Sequence, residues 1–95
     1  MVALTRVVGE GEIVSESPAE QLLSQQLGTQ IARLRHAREL SQDALAERAG
    51  ISTNHLQLLE SGLSDRSKKT PANPRLSTLI ALSAALDVPL PELLG

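Results

Sequence analysis

At 95 residues the chain is long enough for one small domain, and nothing in it suggests a second. It holds no cysteine, which excludes disulfides, thiolate metal sites and a cysteine nucleophile; it also holds no Phe, Tyr or Trp, so Leu, Ala, Val and Ile must build the core, a palette that favours helices. The net charge of −2 argues against a polyanionic partner only until it is resolved along the chain. Residues 1–27 hold one arginine against four glutamates, residues 28–76 eight cations against five acids, and residues 77–95 only Asp87 and Glu92. A basic middle between acidic ends can serve a polyanion whatever the total.

In chain order, MVALTRVVGEGEIV lacks the basic start and the continuous apolar run of a signal peptide. Residues 1–17 show no helical period and read as a flexible N-terminal arm, with a short dimer-pairing strand in VVGEGEIV as the sharper option. SPAE at 17–20 is a helix start, with Ser17 as cap, Pro18 in the first turn and Glu20 as its capping-box partner. Leu23, Leu27, Ile31 and Leu34 follow on one helical face; Gly28 interrupts them, so the segment is either one helix to about Arg38 or two pieces.

Ser41 starts the next helix, with Leu45, Ala46 and Ala49 inward and Gly50 at its end. Ser52 caps a third helix, with Leu56 and Leu59 inward and Gly62 closing it. Residues 63–73 carry turn formers and three cations and read as a loop. Asn73 and Pro74 open a fourth helix that ends at Asp87 and Val88, and PLPELL makes a final turn. The sum is an all-α bundle of five helices without confident strands. No stretch approaches the roughly 20 apolar residues of a membrane span, so a cytoplasmic protein with no membrane partner is expected.

SQDALAERAGISTNHLQLLESG, residues 41–62, has the physics of a helix-turn-helix. Ala46 supplies the small residue where two steeply crossed helices touch, Gly50 the turn, and Ile51, Leu56 and Leu59 the seal. Leu58 falls on the outer side with Asn54, about 40° away at about 100° per residue. No Ser/His/Asp arrangement, phosphate-binding glycine loop or metal cluster is present in the sequence, which argues against an enzyme, a cofactor or a metal.

Through LRHARELSQDALAERAGIS and NPRLSTLIALSAALDVPLPELL, residues 28–94 resemble the Cro/C1-type, or xenobiotic-response-element-type, helix-turn-helix domain of bacterial and phage repressors. The resemblance implies a compact, lambda-repressor-like five-helix bundle over residues 18–95, behind the arm. It also implies a transcriptional regulator that binds double-stranded DNA as a homodimer, with helix 52–61 in the major groove. By the same resemblance Thr53, Asn54, Gln57 and Leu58 face base edges. Gln42, Ser52, His55, Arg66, Lys68, Lys69 and Arg75 approach the DNA backbone. Arg35 and Glu60 form a partly buried ion pair. Glu39 and Asp87 stand where relatives often carry glycine; Asp tolerates a left-handed backbone better than Glu, so a local departure is expected at Arg38–Leu40.

Each reading has a plainer rival. Asn54 is either an adenine reader or an ordinary polar residue at a helix start; Thr53 touches a phosphate or a thymine methyl, or only supports the helix end. Gln42 either grips a phosphate or is solvated, and His55 is chiefly a half-buried histidine. Arg66, Lys68 and Lys69 are phosphate ligands or a solvated loop, and Leu58 meets a thymine methyl or is a lone surface leucine. A different function class is an antitoxin-like protein, whose acidic N-terminal arm binds a partner protein while the helix-turn-helix autoregulates its operon. Leu22, Leu23, Leu27, Leu90, Leu93 and Leu94 are the apolar candidates for a dimer contact.

Overall fold

Each of the five helices turns at least one leucine inward. The computed structural model describes residues 6–8, 12–14, 18–65 and 70–95. Strand β1 (Arg6–Val8) pairs antiparallel with β2 (Glu12–Val14), Val7 opposite Ile13. Then follow α1 (Pro18–Ala37), α2 (Gln42–Ala49), α3 (Thr53–Glu60), a second small hairpin of β3 (Leu63–Asp65) and β4 (Thr70–Pro71), α4 (Leu76–Leu86) and α5 (Leu90–Leu94). The segment 63–73 is therefore not wholly a loop: Leu63 pairs with Pro71 and Asp65 with Thr70. Strands of two or three residues are too short to show a period of two. Ser17 and the cations Arg66, Lys68 and Lys69 lie outside the described residues.

The core joins all five helices. Ile31 and Leu34 of α1, Leu45 of α2, Leu56 and Leu59 of α3, Leu82 and Leu86 of α4 and Leu93 of α5 are all buried. Long interleaved leucines fill the space that aromatic rings would take in another bundle.

Helix α1 is one continuous piece, and Gly28 is the reason it can reach α3. A Cβ at Gly28 would lie against the Leu59 carbonyl oxygen and 2.7 Å from that of Glu60. The helix gives up about 1 kcal/mol of propensity at a glycine, and the backbone approach depends on it. The buried stripe of α1 accordingly runs through Ser24, Gly28, Ile31, Leu34 and Arg35. Leu23 does not belong to it: it is 63% exposed, and Leu27 is only half-buried. Ser24 is accommodated because its hydroxyl donates to the Ala72 carbonyl at 2.8 Å, a buried bond that ties α1 to the second hairpin.

Three helices end the same way. Glu39 (φ 56°), Gly50 (φ 75°) and Asp87 (φ 58°) each turn left-handed. The next residue then donates back across the turn, Leu40 to Arg35, Ile51 to Ala46 and Val88 to Ser83, at 3.0–3.1 Å. Each donor is apolar and covers the end it closes. The expected departure at Arg38–Leu40 does not occur: Glu39 adopts the left-handed turn despite its side chain.

Candidate nucleic-acid interface

Both helices of the central unit are capped by serine. Ser41 Oγ accepts from the Ala44 amide and Ser52 Oγ from the His55 amide, each at 3.0 Å. Each cap satisfies one of the four amides a helix start leaves open. Ala46, 1% exposed, lets α2 and α3 close on one another, and Leu45, Leu56 and Leu59 bury the inner side. The outer side of α3 carries Asn54, exposed, with Thr53, Gln57 and Leu58 half-exposed.

Two consecutive residues at the start of α2 hold the two ends of α3. Gln42 Nε2 donates to Glu60 Oε1 at 2.9 Å, at the last residue of α3. Asp43 Oδ1 accepts from the Thr53 hydroxyl at 2.6 Å, at the first. Glu60 is also held from α1: Arg35 Nε and one terminal nitrogen bond its two oxygens at 2.7 and 3.0 Å, a bidentate fork. The remaining Arg35 nitrogen donates to the Leu40 carbonyl at 2.9 Å. Both side chains of the pair are about nine-tenths buried. Helix α3 is thus fixed at both ends, while Asn54 makes no side-chain hydrogen bond among the described residues.

The site residues differ in how free they are. Gln42 spends one amide hydrogen on Glu60; that carboxylate only accepts, so nitrogen must face it, and the second amide hydrogen has no partner among the described residues. Ser52 is exposed at the start of α3, with its Oγ engaged as cap. His55 is half-buried and, with Leu58, lines a shallow hollow of about 90 Å³ shared with Leu63, Ala72 and Pro74. Leu58 is therefore only partly outward, because the second hairpin closes over one side of it. Arg75 is exposed and extended (φ −70°, ψ 153°) just before α4, which begins at Leu76, two residues later than Pro74 suggested. Asp43 escaped the sequence reading: its role depends on a crossing angle that one-dimensional spacing does not carry. Among the described residues no cluster of His, Cys, Asp or Glu could hold a metal ion, and no helix is long and apolar enough to cross a membrane.

A short capped helix, braced at both ends and presenting a polar outer side, on a five-helix bundle with a glycine turn, defines the Cro/C1-type DNA-binding helix-turn-helix class. The helix-turn-helix domain family matches residues 26–94, and the chain belongs to it. Solved structures agree. The restriction-modification controller protein C.AhdI from Aeromonas hydrophila is 28% identical over 73% of this chain and 92% of its own, with a TM-score of 0.61. SinR, a master regulator of biofilm formation solved in complex with DNA, is 30% identical over 73% of this chain and 98% of its own, at 0.60. The hypothetical transcription factor NHTF from Neisseria is 28% identical over 85% and 82%, at 0.64. No curated protein matches the chain.

Proposed function

We propose that the protein is a sequence-specific transcriptional regulator that lays α3 in the DNA major groove and binds as a homodimer. The observation that carries this is the exposed Asn54 at the start of a helix clamped at both ends. A free carboxamide on a rigid support is what bidentate recognition of adenine requires. Thr53, Gln57 and Leu58 flank it as further readers. Gln42, Ser52, His55 and Arg75, with the sequence cations Arg66, Lys68 and Lys69, serve the phosphates. The likeness to SinR, a DNA-bound regulator, supports the reading. A cytoplasmic location is consistent with it.

Dimerisation draws support from exposed apolar side chains in a small domain: Leu22, Leu23 and Leu94 are all more than half exposed. Leu93 is core and is withdrawn from that set, and Leu27 and Leu90 are half-buried. Enrichment of bound sequences from random duplexes is the test. The expected product is a repeated half-site at a spacing of about one helical turn or a multiple. Absence of any enriched sequence, together with salt-insensitive binding, would overturn the proposal.

A further inference from the structure

We infer that Asp43 is a positioning residue that makes the Thr53 side chain a base reader and bars it from gripping a phosphate. The inference rests on the DNA-binding reading above and deepens it. A threonine hydroxyl has one hydrogen to donate and two lone pairs to accept with. The Thr53 hydroxyl lies 2.6 Å from Asp43 Oδ1. A carboxylate has no hydrogen to give, so the hydrogen in that contact must come from Thr53. The distance is that of a strong, charge-assisted bond. Thr53 therefore keeps only acceptor lone pairs and its methyl group for a ligand.

A phosphate oxygen is also only an acceptor, so the Thr53 side chain has nothing to offer it. Base edges in the major groove are different. The amino groups of adenine and cytosine donate, and the thymine methyl packs against another methyl. A Thr53 oriented by Asp43 is matched to those edges. Asp43 is the first-turn neighbour of Gln42, so one turn of α2 carries both residues that fix α3. The bond spans two helices, so the side chain's polarity is set by their packing and is preserved when the chain is free.

The test uses the full chain and four proteins: wild type, Thr53→Ala, Asp43→Ala and Asp43→Asn. Each is selected against random duplexes and then titrated with the preferred duplex and with a random one. Thr53→Ala should erase the preference at one base pair of the half-site, lowering affinity for the preferred duplex roughly fivefold or more and leaving the random duplex unchanged. Asp43→Ala should disturb that same base pair and no other. Asp43→Asn retains an oxygen that accepts from Thr53, so it should restore the preference. Losing the carboxylate charge should raise affinity for every duplex alike in both Asp43 variants, which leaves their contrast intact. Equal weakening on preferred and random duplexes, with the selected sequence unchanged, would overturn the inference, as would Asp43→Asn behaving like Asp43→Ala. A wild type that enriches no sequence would instead overturn the DNA-binding proposal, and this inference with it.

Discussion

The two ends of α3 are held by neighbouring residues of α2, yet they sit in opposite surroundings. The C-terminal end is buried. Glu60 is gripped by Arg35 and Gln42, and α1 presses its backbone against the carbonyls of Leu59 and Glu60 through Gly28. The N-terminal end is open: Asn54 and Asp43 are exposed, and a single side-chain bond from Thr53 to Asp43 ties it down. The asymmetry is economical in physical terms. Anchoring one end in the core lets the other remain polar and solvated without the helix losing its orientation. Damage to the first end should therefore appear as lost stability, and damage to the second as altered ligand recognition.

The strongest way to break the contrast is to remove Arg35. Arg35→Ala strands a buried carboxylate and leaves the Leu40 carbonyl without its partner. The expected loss is about 3–5 kcal/mol of folding stability. Urea unfolding reads it directly, and a loss under about 1 kcal/mol would show that the pair is not the anchor. Gly28→Ala attacks the same end by crowding. Alanine gains roughly 1 kcal/mol of helix propensity. A Cβ set against two backbone carbonyls has no flexible neighbour to displace, so a net loss of about 1–3 kcal/mol is expected. A stabilised variant would mean that α1 and α3 can separate there without consequence.

Asn54→Ala sharpens the contrast from the open end. Folding stability should stay within about 0.5 kcal/mol, since the side chain is exposed and unbonded among the described residues. Affinity for a selected duplex should fall by about 1–3 kcal/mol, and affinity for a random duplex far less. Equal losses on the two duplexes would remove Asn54 from the base readers.

How much of this was legible in the sequence follows the range of each interaction. The caps at Ser41 and Ser52, the glycine turn and the small Ala46 are local signals, and the structure holds each where spacing put it. The hydrophobic period misplaces the α1 stripe at Leu23 because it overlooks small residues. Ser24 and Gly28 are buried there for close approach and a single hydrogen bond, while Leu23 points away. The pairing of β3 with β4 leaves no mark in the sequence, since its strands are shorter than any recognisable period. The Arg35–Glu60 contact came from resemblance rather than from spacing, and the Asp43–Thr53 bond came from neither. The first joins helices that are not neighbours in the chain and the second joins consecutive ones, but both depend on how the bundle packs.

The smallest expected effect concerns the turn that supports the buried end. Glu39 holds a left-handed backbone so that Leu40 can bond back to Arg35 and offer its carbonyl to the same side chain. Asp87 holds the same conformation after α4. A left-handed residue with a Cβ costs roughly 1–2 kcal/mol, less for Asp, whose short side chain can bond locally. Glycine removes that cost but adds freedom to the unfolded chain, which returns part of the gain. Glu39→Gly should therefore stabilise the fold by about 1 kcal/mol or somewhat less, and Asp87→Gly by a few tenths of that order. Both carboxylates lie at the negative end of a helix, so relief from the dipole is common to the two and cancels in their comparison. Arg38 bonds the main-chain carbonyl of Asp87, a contact that survives the substitution. In a domain of this size about 1 kcal/mol moves the melting temperature by roughly 4–8 °C, so thermal melts can rank the two variants. If Asp87→Gly gained more than Glu39→Gly, backbone conformation would not be what separates these two turns.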